Sequence, residues 1–402
     1  MFKSLSLKVI VFGFIFTFFS SFGQSFFLGL FNSNIRETLS ITHGQFGSIY
    51  ASATLLSSFV LVWIGKKIDD VNVFKFAMYV TVFLSISCFL FSKITSIIFL
   101  FFGIFLMRLA GQGLSTHTAT TTISRYFNKN RGRALSLGWL GLSTAEFFLP
   151  VFIVFLLTIL NWRSIWILIS LLIIFILPIF SYFLVKDINL NSRENIDDPI
   201  KVDEKIKQWK RSEVLTDYRF YIICFNMFCM PWLSTGTFVY QSFISSSKNW
   251  GPYVMAQSFM SYSILSVITL FLSGFLIDRF TSRKLLLYMN IPVLLAVIIL
   301  FFFNNFISAF FILGLYGVSN GLTNLLGSST WAEIYGVKHI GSIKALSTAI
   351  MVFSTAFGTA MFGLLIDGGY SINDIAIISM ILILIPLIML FLIRNKLNPT
   401  YI

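Results

Sequence analysis

Twelve apolar runs, each of about 20 residues or more, constrain this chain more than any motif does. They lie at roughly 7–31, 43–64, 73–92, 95–124, 133–158, 162–185, 219–244, 252–277, 283–303, 306–332, 341–366 and 372–393. A helix of that length crosses ~30 Å of hydrocarbon, and helices satisfy their own backbone there. Charged residues are only 11% of the 402-residue chain and hydrophobic residues are 57%. Soluble domains carry about 25% charged residues, so this composition leaves too little polar surface to face water. The expected fold class is an all-α membrane protein of twelve transmembrane helices. The first run follows Lys3 and Lys8, but it is too long for a signal peptide and no small-residue cleavage site closes it.

Orientation follows from the basic residues. With the N-terminus in the cytoplasm, inner segments hold 24 of the 29 Lys and Arg. The outer loops hold Arg36, Lys93, Arg163 and Lys248, and Arg108 lies within a run. By the positive-inside rule both termini are cytoplasmic. The net charge of +13 therefore sits beside helix ends, where anionic lipid is the simpler partner and nucleic acid is not expected. Cys88, Cys224 and Cys229 read as small buried hydrophobes, with no metal-ligand spacing. No cofactor is expected.

The chain divides in two. Gly65-Lys66-Lys67-Ile68-Asp69-Asp70, closed by Lys75, recurs 209 residues later as Gly274-Phe275-Leu276-Ile277-Asp278-Arg279, closed by Lys284. Arg133-Ala134-Leu135-Ser136 matches Lys344-Ala345-Leu346-Ser347 at offset 211, and Gln112-Gly113-Leu114 matches Asn320-Gly321-Leu322 at offset 208. The one long polar stretch, 186–217, mixes both charges and reads as a cytoplasmic tether. The expected organisation is a six-helix bundle over 1–190, a linker over 191–215 and a second six-helix bundle over 216–402. Secondary transporters are commonly built from such repeats, with the substrate site near the bilayer midplane.

These features resemble the major facilitator superfamily over nearly the whole length. The Gly-x-x-x-Asp loops resemble its signature between helices 2 and 3, repeated between helices 8 and 9; Asp70 stands where Arg is usual. The stretch from Arg125 to Ala134, leading into Gly138, Gly141 and Pro150, is similar to bacterial monocarboxylate and oxalate–formate porters. Ala332-Glu333-Ile334-Tyr335-Gly336 is similar to a familiar ending of helix 10. The resemblance implies that Asp69 latches the halves in one state of a rocking cycle. Its implied partners are the start of helix 11 near Gly341 and Arg125 or Arg133. Asp278, with Arg279, would do the symmetric job. Gly65 and Gly274 make the turns, and Glu333, close to Lys338, joins this gate network.

Two charges lie deep in apolar runs, Arg108 in the fourth and Glu146 in the fifth, both near the middle. An intramembrane charge costs ~2.5–3.5 kcal/mol on the lenient scale, so it faces the interior and has a partner. Arg108 either binds a substrate carboxylate through its two-pronged guanidinium or forms a permanent pair with Glu146. Glu146 either holds Arg108 in the empty site or carries a coupling proton. At 100° per residue Gln112 and Ser115 share the face of Arg108. His117 is on the opposite face and is a second candidate for proton handling, although a lone His is more often a packing residue. Gln24 in the first run, Trp232, Tyr240 and Gln241 in the seventh, and the Tyr316–Asn320–Asn324 stripe in the tenth complete the candidate cavity wall.

No His has acidic neighbours that would mark a hydrolase or acyltransferase, and no Gly-rich nucleotide loop is present, so neither an enzyme nor a primary pump is expected. The expected function is a monomeric secondary transporter in the inner membrane. It would move a small organic anion such as a monocarboxylate, by proton symport or exchange. The alternative is a proton-driven exporter of amphipathic compounds.

Overall fold

The computed structural model describes residues 4–127, 131–186 and 207–400, and leaves the side chains of Ser4, Asp69, Asp278 and Ser328 outside that description. Among the described residues every regular element is helical. Among the described residues, twelve helices are long and apolar enough to cross a membrane. They are α1 Leu5–Gly23, α2 His43–Ile68, α3 Val73–Phe91, α4 Ile97–Tyr126, α5 Arg131–Ile159 and α6 Trp162–Val185. Then come α7 Tyr218–Val239, α8 Val254–Ile277, α9 Ser282–Phe302, α10 Ile307–Tyr335, α11 Ile340–Asp367 and α12 Ile372–Leu392.

Local chemistry sets the helix starts. Thr42 and Gln45 form a capping box on α2, as Ser371 and Asp374 do on α12. Asn72, Ser96 and Asn161 cap α3, α4 and α6. Each cap satisfies an amide that the first turn leaves unbonded. Large apolar side chains point outward, including Phe275 at 76% exposed and Leu392 at 78%, as a hydrocarbon solvent requires.

Three runs do not form the continuous helices that their hydropathy predicts. The first, expected over 7–31, gives way at Gln24, whose backbone is extended (φ −83°, ψ 154°). The seventh pauses after Val239 and resumes at Gln241, and the ninth is interrupted between Leu286 and Ile291. Hydropathy averaged over a window is blind to such breaks, because one polar residue such as Gln24 or Asn290 barely lowers the mean of a long apolar run. Partners elsewhere in the same unit supply the missing hydrogen bonds. In the ninth run, Asn226 Nδ2 donates to Leu286 O (3.4 Å), and Asn290 Nδ2 donates to Asn226 O (2.6 Å).

The chain forms two compact units: Met1–Asp197 with Phe238–Ser242, and Asp198–Thr237 with Phe243–Ile402. Within the first unit, small residues bring backbones together, as lipid-embedded helices require in the absence of a hydrophobic drive between them. Gly13, Gly138 and Gly141 let α1 lie against α5, where Thr17 Oγ1 donates to Gly138 O at 2.6 Å. Ser85 and Ser170 exchange hydroxyl–carbonyl bonds between α3 and α6 at 3.0 and 2.8 Å. In the second unit, Gly317 and Gly321 seat α10 against α8, and Gly358 seats α11 against the Trp232 backbone.

Candidate functional site

The first unit brings two helix irregularities together. α1 loosens into a 3-10 turn at Ser21–Gly23 before the break at Gln24. α4 changes from α to π geometry over Arg108–Ser115, where Ser115 Oγ donates to Ala110 O five residues back, at 2.8 Å. The two meet at glycines. A Cβ built on Gly23 would lie 2.6 Å from Gln112 N, and one on Gly111 would lie 2.6 Å from Gly23 N. No side chain larger than hydrogen fits at either position without moving backbone. π segments are rare and concentrate at functional sites, and broken membrane helices offer freed carbonyls to polar groups.

Arg108 occupies this junction. It is 2% exposed, and its Nη1 donates to Gly23 O at 3.2 Å and to Ser25 Oγ at 3.3 Å. Its guanidinium carbon lies 5.4 Å from the Tyr50 ring centroid. Among the described residues no carboxylate pairs with Arg108, and its Nε is buried without a hydrogen bond. The hydroxyls of Tyr50 and Thr54 on α2, Ser21 on α1 and Thr116 on α4 are also buried without a partner. Gln24 and Gln112 are half-buried, and neither side chain has a hydrogen bond among the described residues.

Glu146, 8% exposed on α5, has no ion pair or hydrogen bond among the described residues. Arg108 and Glu146 therefore do not form the direct pair that was one of the two expectations. The expected face shared by Arg108 and Ser115 is also corrected. The i→i+5 bonding of a π segment puts more residues in each turn, so seven residues no longer make two turns.

Tyr50 was not singled out in the sequence. It carries no charge and sits in an apolar run, so only its packing over Arg108 reveals it. Its spacing to Thr54, i and i+4, was the available signal.

The remaining candidates are spread through the two units. In the first, Tyr240 Oη donates to His43 O at 2.9 Å, Gln241 Nε2 donates to Phe26 O at 3.1 Å, and Asn32 Nδ2 donates to Val239 O at 2.7 Å. In the second, Trp232 is 1% exposed and packs edge-on to Phe357 and Phe362. Tyr316 Oη lies 3.3 Å from Thr237 Oγ1, and Asn320 Nδ2 donates to Ser266 Oγ at 2.8 Å. Asn324, the third member of that stripe, is exposed.

The loop residues fall into two groups. In the first unit His117 Nε2 is 3.0 Å from Gly65 O, and Arg125 Nη1 donates to Ile68 O at 3.1 Å. Both side chains of α4 thus hold the backbone beside Asp69. The latches expected of the Asp69 and Asp278 carboxylates lie outside the described residues. Arg133 and Arg279 are exposed; Arg279 lies over the Phe280 ring at 5.3 Å, and Gly274 has open space around it.

Glu333 pairs with Arg283 at 2.9 Å and accepts from Ser282 N at 2.8 Å, capping the start of α9. Its ionic partner is therefore Arg283 rather than the sequence-adjacent Lys338. The neighbouring Tyr335 donates from Oη to Asp217 Oδ2 at 3.0 Å, and Asp217 pairs with Arg219 at 2.8 Å. Gly336, with φ +83°, ends α10 in a conformation that favours glycine. Among the described residues no cluster of His, Cys, Asp or Glu has the arrangement to hold a metal.

The chain is similar in fold to a bacterial homologue of the human lysosomal transporter Spinster, solved inward-facing and unoccupied. That match has a TM-score of 0.73 at 13% identity, covering 100% of both chains. It is also similar to the nucleoside transporter NupG, with a TM-score of 0.68 at 15% identity, covering 98% of this chain and 99% of that one. A search of curated protein sequences finds no match. The family model described as Major Facilitator Superfamily matches residues 13–359. With twelve apolar helices and that match over most of its length, the chain belongs to the Major Facilitator Superfamily of multi-pass membrane transporters.

Proposed function

We propose that the chain moves a small organic anion of the monocarboxylate type, coupled to protons by symport or exchange, across the inner membrane of a bacterium. The transport unit in this reading is the single chain. The carrying observation is Arg108, a buried guanidinium near the middle of a spanning helix with no carboxylate among the described residues. A carbonyl and a hydroxyl hold one of its nitrogens, which orients the group without neutralising it. A charge kept unneutralised in that position is expensive, and an anionic substrate is the partner that removes the cost during turnover. A carboxylate suits the planar fork better than a point acceptor does. Tyr50, Gln24 and Gln112 add neutral polar groups beside it. Trp232, Tyr240, Tyr316 and Asn320 are proposed as the further substrate-facing residues.

Glu146 is proposed as the coupling carboxyl, because it lies in the same unit with no cation paired to it among the described residues. His117 is a weaker proposal for the same task, since its Nε2 is engaged with Gly65 O. The loops around Gly65, Asp69, Gly274 and Asp278, with Arg125, Arg133, Arg279 and Glu333, are proposed as the gate. Uptake into proteoliposomes tests the reading with a panel of short mono- and dicarboxylic acids under an imposed pH gradient. The expected result is uptake of, or competition by, at least one monocarboxylate that Arg108→Gln abolishes. If no acid is moved or competes while amphipathic cations are, the anion reading fails.

A further inference from the structure

Beyond α12, in the second unit, a 3-10 turn at Arg394–Lys396 leads to Leu397. That side chain is 1% exposed and belongs to one buried cluster with Val214, Phe220, Trp331 and Tyr335. Terminal segments stay loose unless something ties them down. Here two guanidinium groups do so. Arg219 Nη1 donates to Lys396 O at 3.0 Å and to Asn398 O at 3.2 Å, while its Nε pairs with Asp217 at 2.8 Å. Arg283 Nη1 donates to Asn398 Oδ1 at 2.6 Å, while its Nε pairs with Glu333 at 2.9 Å. Hydrogen bonds from a charged donor are among the stronger ones.

The segment that leads into α7 is held by the same residues. Lys207 N donates to Thr400 O at 2.8 Å, Trp209 N donates to Tyr335 O at 3.0 Å, and Lys338 N donates to Gln208 Oε1 at 3.1 Å. Tyr335 is the last residue of α10, so Trp209 N satisfies one of the carbonyls that a helix end leaves unbonded. The Trp209 ring packs edge-on to the Tyr335 ring at 5.4 Å, and the Lys207 ammonium lies 4.1 Å from the Trp209 centroid.

We propose that residues 394–400 are a clip. They fasten the linker end, 207–214, to the end of α10 and the start of α9, so that a displacement of the linker is delivered to the Arg283–Glu333 pair. A single amide–carbonyl bond open to water holds little by itself, because water competes for both partners. A buried leucine shared by the tail, Val214 of the linker and Tyr335 of α10 makes these pieces open as one cooperative unit. Asn398 extends that unit to Arg283. That the Arg283–Glu333 pair belongs to a gate rests on the transport reading above; the clip itself does not.

Hydrogen exchange of the purified full chain in nanodiscs, without any transported solute, tests the clip against Leu397→Ala and Asn398→Ala. Leu397→Ala is expected to speed exchange of the 207–214 amides at least about tenfold, and to speed the 282–286 amides with them. The gain should include Trp209 N, whose acceptor Tyr335 O the substitution leaves in place. Asn398→Ala removes the side-chain contact with Arg283 and is expected to speed 282–286 while leaving 207–214 near wild type. Exchange over α4, in the other unit, reports global unfolding; should Leu397→Ala loosen α4 as well, the milder Leu397→Val takes its place. Release of 394–400 with wild-type exchange at 207–214 or at 282–286 overturns the proposal. Because no solute is used, failure of the anion-uptake assay leaves this result standing, and failure here leaves the anion reading untouched.

Discussion

Arg108 Nη1 lies 3.2 Å from the carbonyl oxygen of Gly23, at the point where α1 gives way to the extended backbone of Gln24. Each of the two features makes sense only with the other. An unbroken α1 would have committed that carbonyl to its own helix, and an Arg elsewhere on α4 would have no such acceptor.

Replacing Arg108 with Gln removes the charge while keeping a donor. Uptake of the transported anion should fall at least about tenfold, the scale of one lost charge-assisted hydrogen bond. Arg108→Lys should also fail to restore it, since an ammonium cannot offer a planar fork. Wild-type uptake by Arg108→Gln in proteoliposomes sinks the substrate role.

Gly23 and Gly111 should tolerate no side chain. Gly111→Ala places a methyl group 2.6 Å from Gly23 N and 2.7 Å from its Cα. Both neighbours are backbone and cannot yield cheaply, so destabilisation of about 1–3 kcal/mol is expected. Gly274→Ala, with nothing within 4 Å of its Cβ, is the matched control and should leave the thermal midpoint nearly unchanged.

Proton coupling has a separate signature. If Glu146 carries the proton, Glu146→Gln should flatten the pH dependence of uptake while counterflow exchange persists. His117→Ala removes the bond to Gly65 O, so slower transport with an unchanged pH profile is the expected outcome. A flattened profile in His117→Ala instead would move the coupling role to that residue.

Lys248 gives a test of stability rather than transport. It is 3% exposed and donates to Asn304 Oδ1 at 2.8 Å and Asn373 Oδ1 at 3.0 Å. Burial holds its ammonium below the ordinary lysine range. The unfolded chain therefore binds more protons than the folded one between the two pKa values, so stability rises with pH across that window. Lys248→Met should remove this rise and also leave two amide oxygens unpaired, at a cost of about 1–3 kcal/mol. Thermal midpoints of both proteins across an alkaline pH series decide it.

Glu333→Gln keeps an acceptor for Ser282 N but loses the ion pair with Arg283, which is partly solvated. A loss of no more than about 1 kcal/mol is expected, from the usual worth of such pairs. Glu333→Ala loses the cap as well, and hydrogen exchange at residues 282–286 should rise more in that variant.

Much of the architecture was legible because a bilayer imposes length and hydropathy on every spanning element. Twelve runs gave twelve helices, and the repeated loops pointed to a family that the family model independently matches. The depth of Arg108 and Glu146 could be counted along their helices. Their partners could not, because pairing depends on which way α4 and α5 are turned. Ser115 illustrates the limit: constant α periodicity placed it beside Arg108, and the π segment removed it from that face.

The sequence by itself determined the all-helical membrane class, the number of crossings and the residues expensive enough to matter, since each follows from local composition and transfer free energy. Only the tertiary structure decided that Arg108 rests on Gly23, Ser25 and Tyr50 with no carboxylate among the described residues, that Glu333 takes Arg283, and that His117 holds Gly65. Those choices are set by helix breaks and by glycine contacts between helices distant in sequence. Such packing leaves no period or spacing in the chain to be read.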